Sequence, residues 1–234
     1  MTFDQPDPDA PAKAPRPRDA ATLILVRKDR DGPALLMGKR GGGAVFMPNK
    51  VVFPGGRVET EDAFAPASSE LSAEDESRLR TLSRRRHVRA FALAAIRETF
   101  EETGFLSGRS TAPAPPSRRL GPSWDAFLQN GVMPDLASLT FIARAITPPY
   151  RPRRFDARFF MGDASLIASE DKAAAAQSGE LGDVAWVPLA TARTLDLPNI
   201  TRRVLDEIAR RLDGAVPPVP FFFFRRGKPR MELL

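Results

Sequence analysis

The sequence predicts an α+β fold, a mixed β-sheet with a few helices packed on it. Three observations lead there. Short runs of apolar and β-branched residues, such as Thr22 to Val26 and Leu139 to Ile146, are bounded by turn residues. Two longer stretches, 90–103 and 200–212, carry the periodicity of helices. Strand and helix candidates do not alternate strictly, which argues against a doubly wound sheet.

The elements follow in chain order. Residues 1–19 hold Pro6, Pro8, Pro11, Pro15 and Pro17 among small and charged residues, and read as a disordered tail before a single domain over 20–234. Thr22–Val26 and Ala34–Met37 read as a hairpin around Arg30-Asp31-Gly32-Pro33. Arg40 to Gly43 is a flexible loop, and Lys50 to Phe53 is a short strand stopped by Pro54-Gly55-Gly56. Residues 63–89 differ in character. Ser72 is placed to cap a helix with Glu74, Asp75 and Glu76 in its first turn and Arg84, Arg85 and Arg86 near its far end, a charge order that suits the helix dipole. A second helix, Ala90 to Thr103, stops at Gly104. Residues 107–122 read as a loop and Ser123 to Gln129 as a short helix. Leu139–Ile146, Arg158–Met161 and Ala185–Val187 are strands, and Ile200–Leu212 is an amphipathic helix. Phe221 to Phe224 reads as a last strand, in the core or at an edge, with a homodimer contact as the other reading.

Composition narrows the function classes. A hydrophobic fraction of 42% is ordinary for a globular chain. No apolar run approaches the roughly 20 residues of a membrane helix, and the first 19 residues lack a signal-peptide core. With no cysteine, disulfides, thiolate catalysis and zinc–thiolate sites are excluded, and a cytoplasmic location is expected. The net charge of +6 favours anionic partners such as nucleotides and phosphates. No RNA-recognition motif is visible, so neither nucleic acid nor membrane is an expected partner. His87, the only histidine, sits among arginines and reads as a solvated residue.

Arg97-Glu98-Thr99-Phe100-Glu101-Glu102-Thr103-Gly104-Phe105 carries the chemistry. On a helix with Glu98 at zero, Glu101 falls near 300° and Glu102 near 40°, so the three carboxylates share an arc of about 100°. Ala92, Ala95, Ile96, Thr99, Phe100 and Thr103 lie on an arc that can pack on a sheet. Each like-charge pair at this spacing destabilises a helix by roughly 0.2–0.5 kcal/mol. A hard dication with oxygen ligands removes that cost, and magnesium needs only a few carboxylates beside its waters. Arg97 can orient a carboxylate through a forked hydrogen bond. Taken alone, such a run also reads as a solvated acidic face. The second element is Phe53-Pro54-Gly55-Gly56, whose glycines let backbone approach a metal or phosphate closely, though by itself it is only a turn.

Together the two pieces resemble the Nudix box: Gly, five residues, Glu, seven residues, then Arg-Glu-apolar-x-Glu-Glu-x-Gly-apolar. Gly56 and the run Arg97 to Phe105 match its ends, with Thr99 in place of the first apolar residue. The glutamate after the glycine counts to Asp62, with Glu59 and Glu61 as rivals. Residues 63 to 96 stand where the pattern has seven positions, so the loop half carries a long insert. Such an insert is similar to that of the Nudix branch of coenzyme A and acyl-coenzyme A diphosphatases. Ile96-Arg97-Glu98-Thr99-Phe100-Glu101-Glu102, Phe46-Met47-Pro48, Ile146-Thr147-Pro148-Pro149 and Arg154 to Phe160 resemble that branch too.

The resemblance implies a Nudix-type α/β/α sandwich with helical insertions, and a hydrolase that cleaves the pyrophosphate bond of a nucleotide-linked diphosphate. Its implied cofactor is Mg2+, with Mn2+ as the alternative. The implied metal ligands are Glu98, Glu101, Glu102 and a carbonyl of Gly55-Gly56. Arg97 orients a carboxylate, and Glu98, Glu102 or Glu180 takes the proton of the attacking water. Arg40, Arg57 and Arg86 are candidate substrate-binding cations, and Arg84, Arg85 and Arg89 read either as phosphate grips or as a solvated helix end. Three functions stay open at this level: hydrolysis of coenzyme A or acyl-coenzyme A; hydrolysis of ADP-ribose, a dinucleoside polyphosphate, NADH or capped RNA; and a non-catalytic nucleotide-binding regulator.

Overall fold

The computed structural model describes residues 14–41, 50–83, 85–114, 120–170 and 181–234. In chain order the elements are β1 (Arg18–Asp29), β2 (Gly32–Arg40), β3 (Val51–Val52), β4 (Gly55–Arg57), α1 (Ala73–Arg80), α2 (Arg89–Thr103), β5 (Phe105–Ser107), β6 (Arg109–Ser110), α3 (Gly121–Gln129) and β7 (Val132–Met133). There follow β8 (Thr140–Ile146), β9 (Phe155–Asp163), β10 (Ile167–Glu170), β11 (Leu181–Pro188), α4 (Leu189–Ala192), α5 (Asn199–Leu212), β12 (Pro220–Arg225) and β13 (Lys228–Leu233).

The main sheet runs β11-β2-β1-β9-β8-β12-β13, with β3 on β2 and β4 on β1. β1 pairs parallel with β9 and β12 parallel with β8; the remaining pairs are antiparallel. The sheet is therefore mixed, and the architecture is the expected α+β fold. Period-two alternation along β1 sends Leu23 and Leu25 to one face and Ile24 and Val26 to the other. The first face packs under α2 and α3 with Phe91, Phe100, Trp124, Phe127, Phe141 and Phe160. The second packs under α4 and α5 with Ile142, Ala192, Val204, Leu205 and Ile208. Each face thus closes its own core, and the layers are helix, sheet, helix.

Two local features position the site. One side of β1 is shared: its far end, from Val26, pairs with β2, whereas Ala20, Ala21 and Thr22 pair with Arg57, Gly56 and Gly55 of β4. That fork lays the glycine turn against β1. α2 packs on β1 and β4 and ends at Gly104, whose φ of 75° is the left-handed conformation that lets its N–H reach Phe100 O at 2.8 Å.

Several expectations change. β1 begins at Arg18, inside the stretch read as a tail, because Arg18 and Asp19 pair with Phe155 and Asp156 of β9; residues 1–13 lie outside the described residues. Ser72 does cap α1, accepting from the Asp75 N–H at 3.1 Å. The helix, however, ends at Arg80 and does not reach Arg85 and Arg86, since Thr81 turns extended and Leu82 takes a φ of 57°. Phe221 to Phe224 is not an edge: β12 lies between β8 and β13, and β13 forms the border. Among the described residues, no helix is long and apolar enough to cross a membrane.

Candidate active site

Arg97 is the centre of the arrangement. It is buried, and its guanidinium meets Asp62 as a fork, Nε to Oδ1 at 2.8 Å and Nη2 to Oδ2 at 3.1 Å. Nη2 also donates to Arg57 O at 2.8 Å. Nη1 donates to Glu98 Oε1 at 3.0 Å and to Glu101 Oε2 at 3.0 Å. Burial alone would lower the arginine pKa, but the Asp62 hydrogen bond and the Glu98 and Glu101 charges outweigh it and raise it. Asp62 is fully buried and also accepts from Trp124 Nε1 at 2.9 Å, so α3 contributes to the anchor. Glu59 and Glu61 are exposed. Of the three acids after the glycines, Asp62 is the one that holds the arginine.

The turn itself is fixed residue by residue. Gly55 N–H donates to Glu102 Oε2 at 2.8 Å, and Glu102 is buried. Gly56 lies directly under the Glu98 carboxylate: a Cβ there would stand 2.6 Å from Glu98 Oε1. Arg57 O takes the bond from Arg97. Val58 N–H donates to Asp19 O at 3.0 Å, and Glu59 N–H to Asp62 Oδ2 at 2.8 Å.

Burial pushes the Glu98 carboxyl up to about 7; the Glu101 and Asp62 charges add to the rise and Arg97 opposes it. Glu98 and Glu101 face a cleft of about 1790 Å³, with Gly55 and Gly56 in its wall. Among the described residues no group of three or more acidic or histidine side chains is placed to hold a metal ion. Glu98 and Glu101 lean on Arg97 and Glu102 on Gly55. Glu98 and Glu101, which line the cleft, are the carboxylates a hard dication held by few protein ligands and several waters would draw on.

In a solved-structure comparison the chain resembles a NUDIX hydrolase from Alicyclobacillus acidocaldarius, with 28% identity, coverage of 83% of this chain and 92% of the other, and a TM-score of 0.63. The chain has the Nudix fold and is similar in sequence to Nudix hydrolases. A curated Caenorhabditis elegans protein, provisionally named nudix hydrolase 7, is 30% identical over 193 residues, which is 73% of this chain and 51% of the relative. The chain therefore spans about half the length of that relative. The NUDIX domain of Shewanella oneidensis NrtR, complexed with ADP ribose, aligns at 11% identity over 85% of this chain and 90% of the other, with a TM-score of 0.46. No family model matches the chain.

The Nudix elements read from the sequence are brought together: Gly55, Gly56, Arg97, Glu98, Glu101 and Glu102 form one cluster. Arg57 lines the cleft. Arg86 is exposed and does not line it, because the chain after α1 turns Arg85 inward to Asp19 instead. Arg89 bonds Glu70 and Ala65 O, so it serves the segment between Asp62 and α2. The Arg40 side chain, Arg84, Glu180 and Phe46-Met47-Pro48 lie outside the described residues. Sequence reasoning passed over Trp124 and the cleft cations Arg16, Arg18, Arg153, Arg202 and Arg203. Each is unremarkable in its own segment and gains meaning only where distant segments meet.

Proposed function

We propose that this chain is a divalent-cation-dependent hydrolase of the phosphoanhydride bond in a nucleotide-linked diphosphate, with coenzyme A or acyl-coenzyme A as its substrate. The single observation that carries the reading is the Arg97 clamp: one buried guanidinium joins Asp62, Glu98, Glu101 and the glycine turn at the wall of a large cleft. A binding module has no need for this clustering of acids. The coenzyme A reading is supported by where its sequence resemblance falls, since Ile146, Thr147, Pro148, Arg154, Phe155 and Phe159 line the same cleft as Glu98. The cleft also presents Arg57, Arg153 and Arg203 to a phosphate-rich ligand, with the Arg203 guanidinium 5.3 Å from the Phe222 ring centre.

Glu98, Glu101 and Glu102, with a backbone carbonyl of Gly55-Gly56, would hold the metal. When bound, Mg2+ neutralises phosphate charge and lowers the pKa of a water. Arg97 keeps Glu98 and Glu101 oriented and balances part of their charge. Water attacks one phosphorus, the other phosphate leaves, and a carboxylate takes the water proton. Of the candidate bases, Glu98 is the best supported, because its carboxylate lies over Gly56 in the wall of the cleft. Glu102 is committed to the Gly55 N–H and is better suited to hold the turn.

The test is Mg2+-dependent release of 3′,5′-ADP from coenzyme A and acyl-coenzyme A, beside a panel of ADP-ribose, dinucleoside polyphosphate, NADH and capped RNA. Glu101→Gln and Glu102→Gln are expected to cut turnover by two or more orders of magnitude while leaving the thermal midpoint within a few degrees of the parent. Turnover that survives either change removes these carboxylates from the reaction. Hydrolysis of another panel member but not of coenzyme A overturns the substrate assignment alone.

A further inference from the structure

The segment between Asp62 and α2 reaches the glycine turn through one side chain. Arg85 donates Nε–H to Asp19 Oδ2 at 2.8 Å and Nη2–H to Val58 O at 2.9 Å. Asp19 returns the contact, its backbone O accepting the Val58 N–H at 3.0 Å. Its other carboxylate oxygen accepts from Arg158 Nη1 at 3.1 Å. Arg158 is almost fully buried, and its guanidinium lies 3.9 Å from the ring centre of Phe91 on α2. Arg85 faces the same ring at 5.9 Å. Asp19 is thus gripped from β9 on one side and from the 63–88 segment on the other.

Two arginines therefore hold consecutive carbonyls, one on the last residue of β4 and one on the residue after it. Arg97 takes Arg57 O, and Arg85 takes Val58 O. Both carbonyls lie just beyond Gly56, whose Cα packs under the Glu98 carboxylate with no room for a methyl group. A strand released at Val58 would let Gly56 drift from Glu98, and a misplacement of about 1 Å at a reacting centre can cost roughly a hundredfold in rate.

We propose that Arg85 is a positioning residue for hydrolysis: by pinning Val58 O and Asp19 it sets the distance between the glycine turn and Glu98, and this is how the 63–88 segment acts on the site. The proposal rests on the reading of Glu98 and the glycine turn as the hydrolytic centre. It assigns Arg85 no contact with substrate, so its loss acts on kcat and leaves KM near the parent value.

The experiment compares the full chain with its Arg85→Ala and Arg85→Lys variants, by steady-state kinetics on the best substrate of the panel and by hydrogen exchange of backbone amides. Arg85→Ala is expected to lower kcat about tenfold with KM within twofold, and to speed amide exchange across 55–59 while β8 and β9 exchange as before. Arg85→Lys, which can make one of the two contacts, gives an intermediate kcat and keeps the proposal testable should the alanine variant fold poorly. A kcat within twofold of the parent in Arg85→Ala, or exchange that rises equally throughout the sheet, overturns the role of Arg85. A parent chain inactive on every diphosphate overturns the hydrolase reading instead, and the exchange pattern at 55–59 then reports the clamp separately.

Discussion

The neighbours Gly55 and Gly56 should respond differently to the same methyl group. The three atoms nearest a Cβ on Gly56 all belong to the carboxylate end of Glu98, a side chain that can swing aside. Gly56→Ala is expected to keep most of its stability and lose at least a hundredfold in kcat, because the displaced group is the proposed base. A Cβ on Gly55 meets Ala21 O at 2.5 Å and Thr22 Cα at 2.8 Å, which are backbone atoms of β1. Gly55→Ala should therefore cost on the order of 2 kcal/mol or more in denaturant melts, by breaking the β1–β4 pairing. Glu98 gives a pH signature in the metal-free protein. Its folded pKa of about 7 lies above the ordinary 4.5, so between these values the folded state binds more protons than the unfolded one. The contribution of Glu98 is fully present below about pH 4.5 and is lost as pH rises through about 7. Thermal melts in a chelator should show this fall, and excess Mg2+ should reverse it at pH 8. The helical half of this cluster was legible in the sequence, because helix geometry alone places Glu98, Glu101 and Glu102 on one arc. The loop half was legible only in part: the spacing counts to Asp62 but leaves Glu59 and Glu61 as rivals, and the burial of Asp62 against Arg97 and Trp124 separates them. Arg85 and Arg86 are as alike in sequence, yet one turns inward and the other to solvent.

At the scale of elements, capping decides α1 and packing decides α2. α1 is short, and its N-terminal turn depends on the Ser72 hydroxyl accepting from Asp75 N–H. Ser72→Ala should lower stability by about 1 kcal/mol, measured by chemical denaturation, with kcat unchanged. α2 is buried along almost its whole length between the sheet, α3 and the 63–88 segment, and among its residues Arg89, Glu98 and Glu101 are the ones not buried. Long apolar strands and both major helices were readable because their periodicity is strong. β13 was not, since Lys228-Pro229-Arg230-Met231-Glu232-Leu233 has no β-branched residue and no buried face. What makes it a strand is the tight turn at Arg226 and Gly227, with φ values of 52° and 72°, of the type that joins hairpins. The pairs β5–β10 and β6–β7 escaped for a related reason, being two to four residues long and held by contacts far away in sequence.

For the whole molecule, the sheet divides two cores, while the cleft runs from Glu98 to Arg202 and Arg203 at the start of α5. Arg16, Arg18, Arg57 and Arg153 are exposed at its rim. Their attraction for a phosphate-rich ligand is screened as the Debye length shrinks below about 10 Å above 0.1 M salt. Raising NaCl from 0.05 to 0.5 M should therefore increase KM several-fold with kcat nearly constant, and a salt-independent KM would remove these arginines from binding. The strand farthest from β11 has a consequence of its own. Among the described residues, β13 has a strand partner on one side only, at the rim of the sheet. A bare rim of that kind invites a stray chain to zip on, but Pro229 offers no amide hydrogen, and Lys228 and Arg230 require an incoming strand to accommodate fixed positive charge. The terminal hairpin thus behaves as a selvedge, finishing the weave so that it does not go on growing.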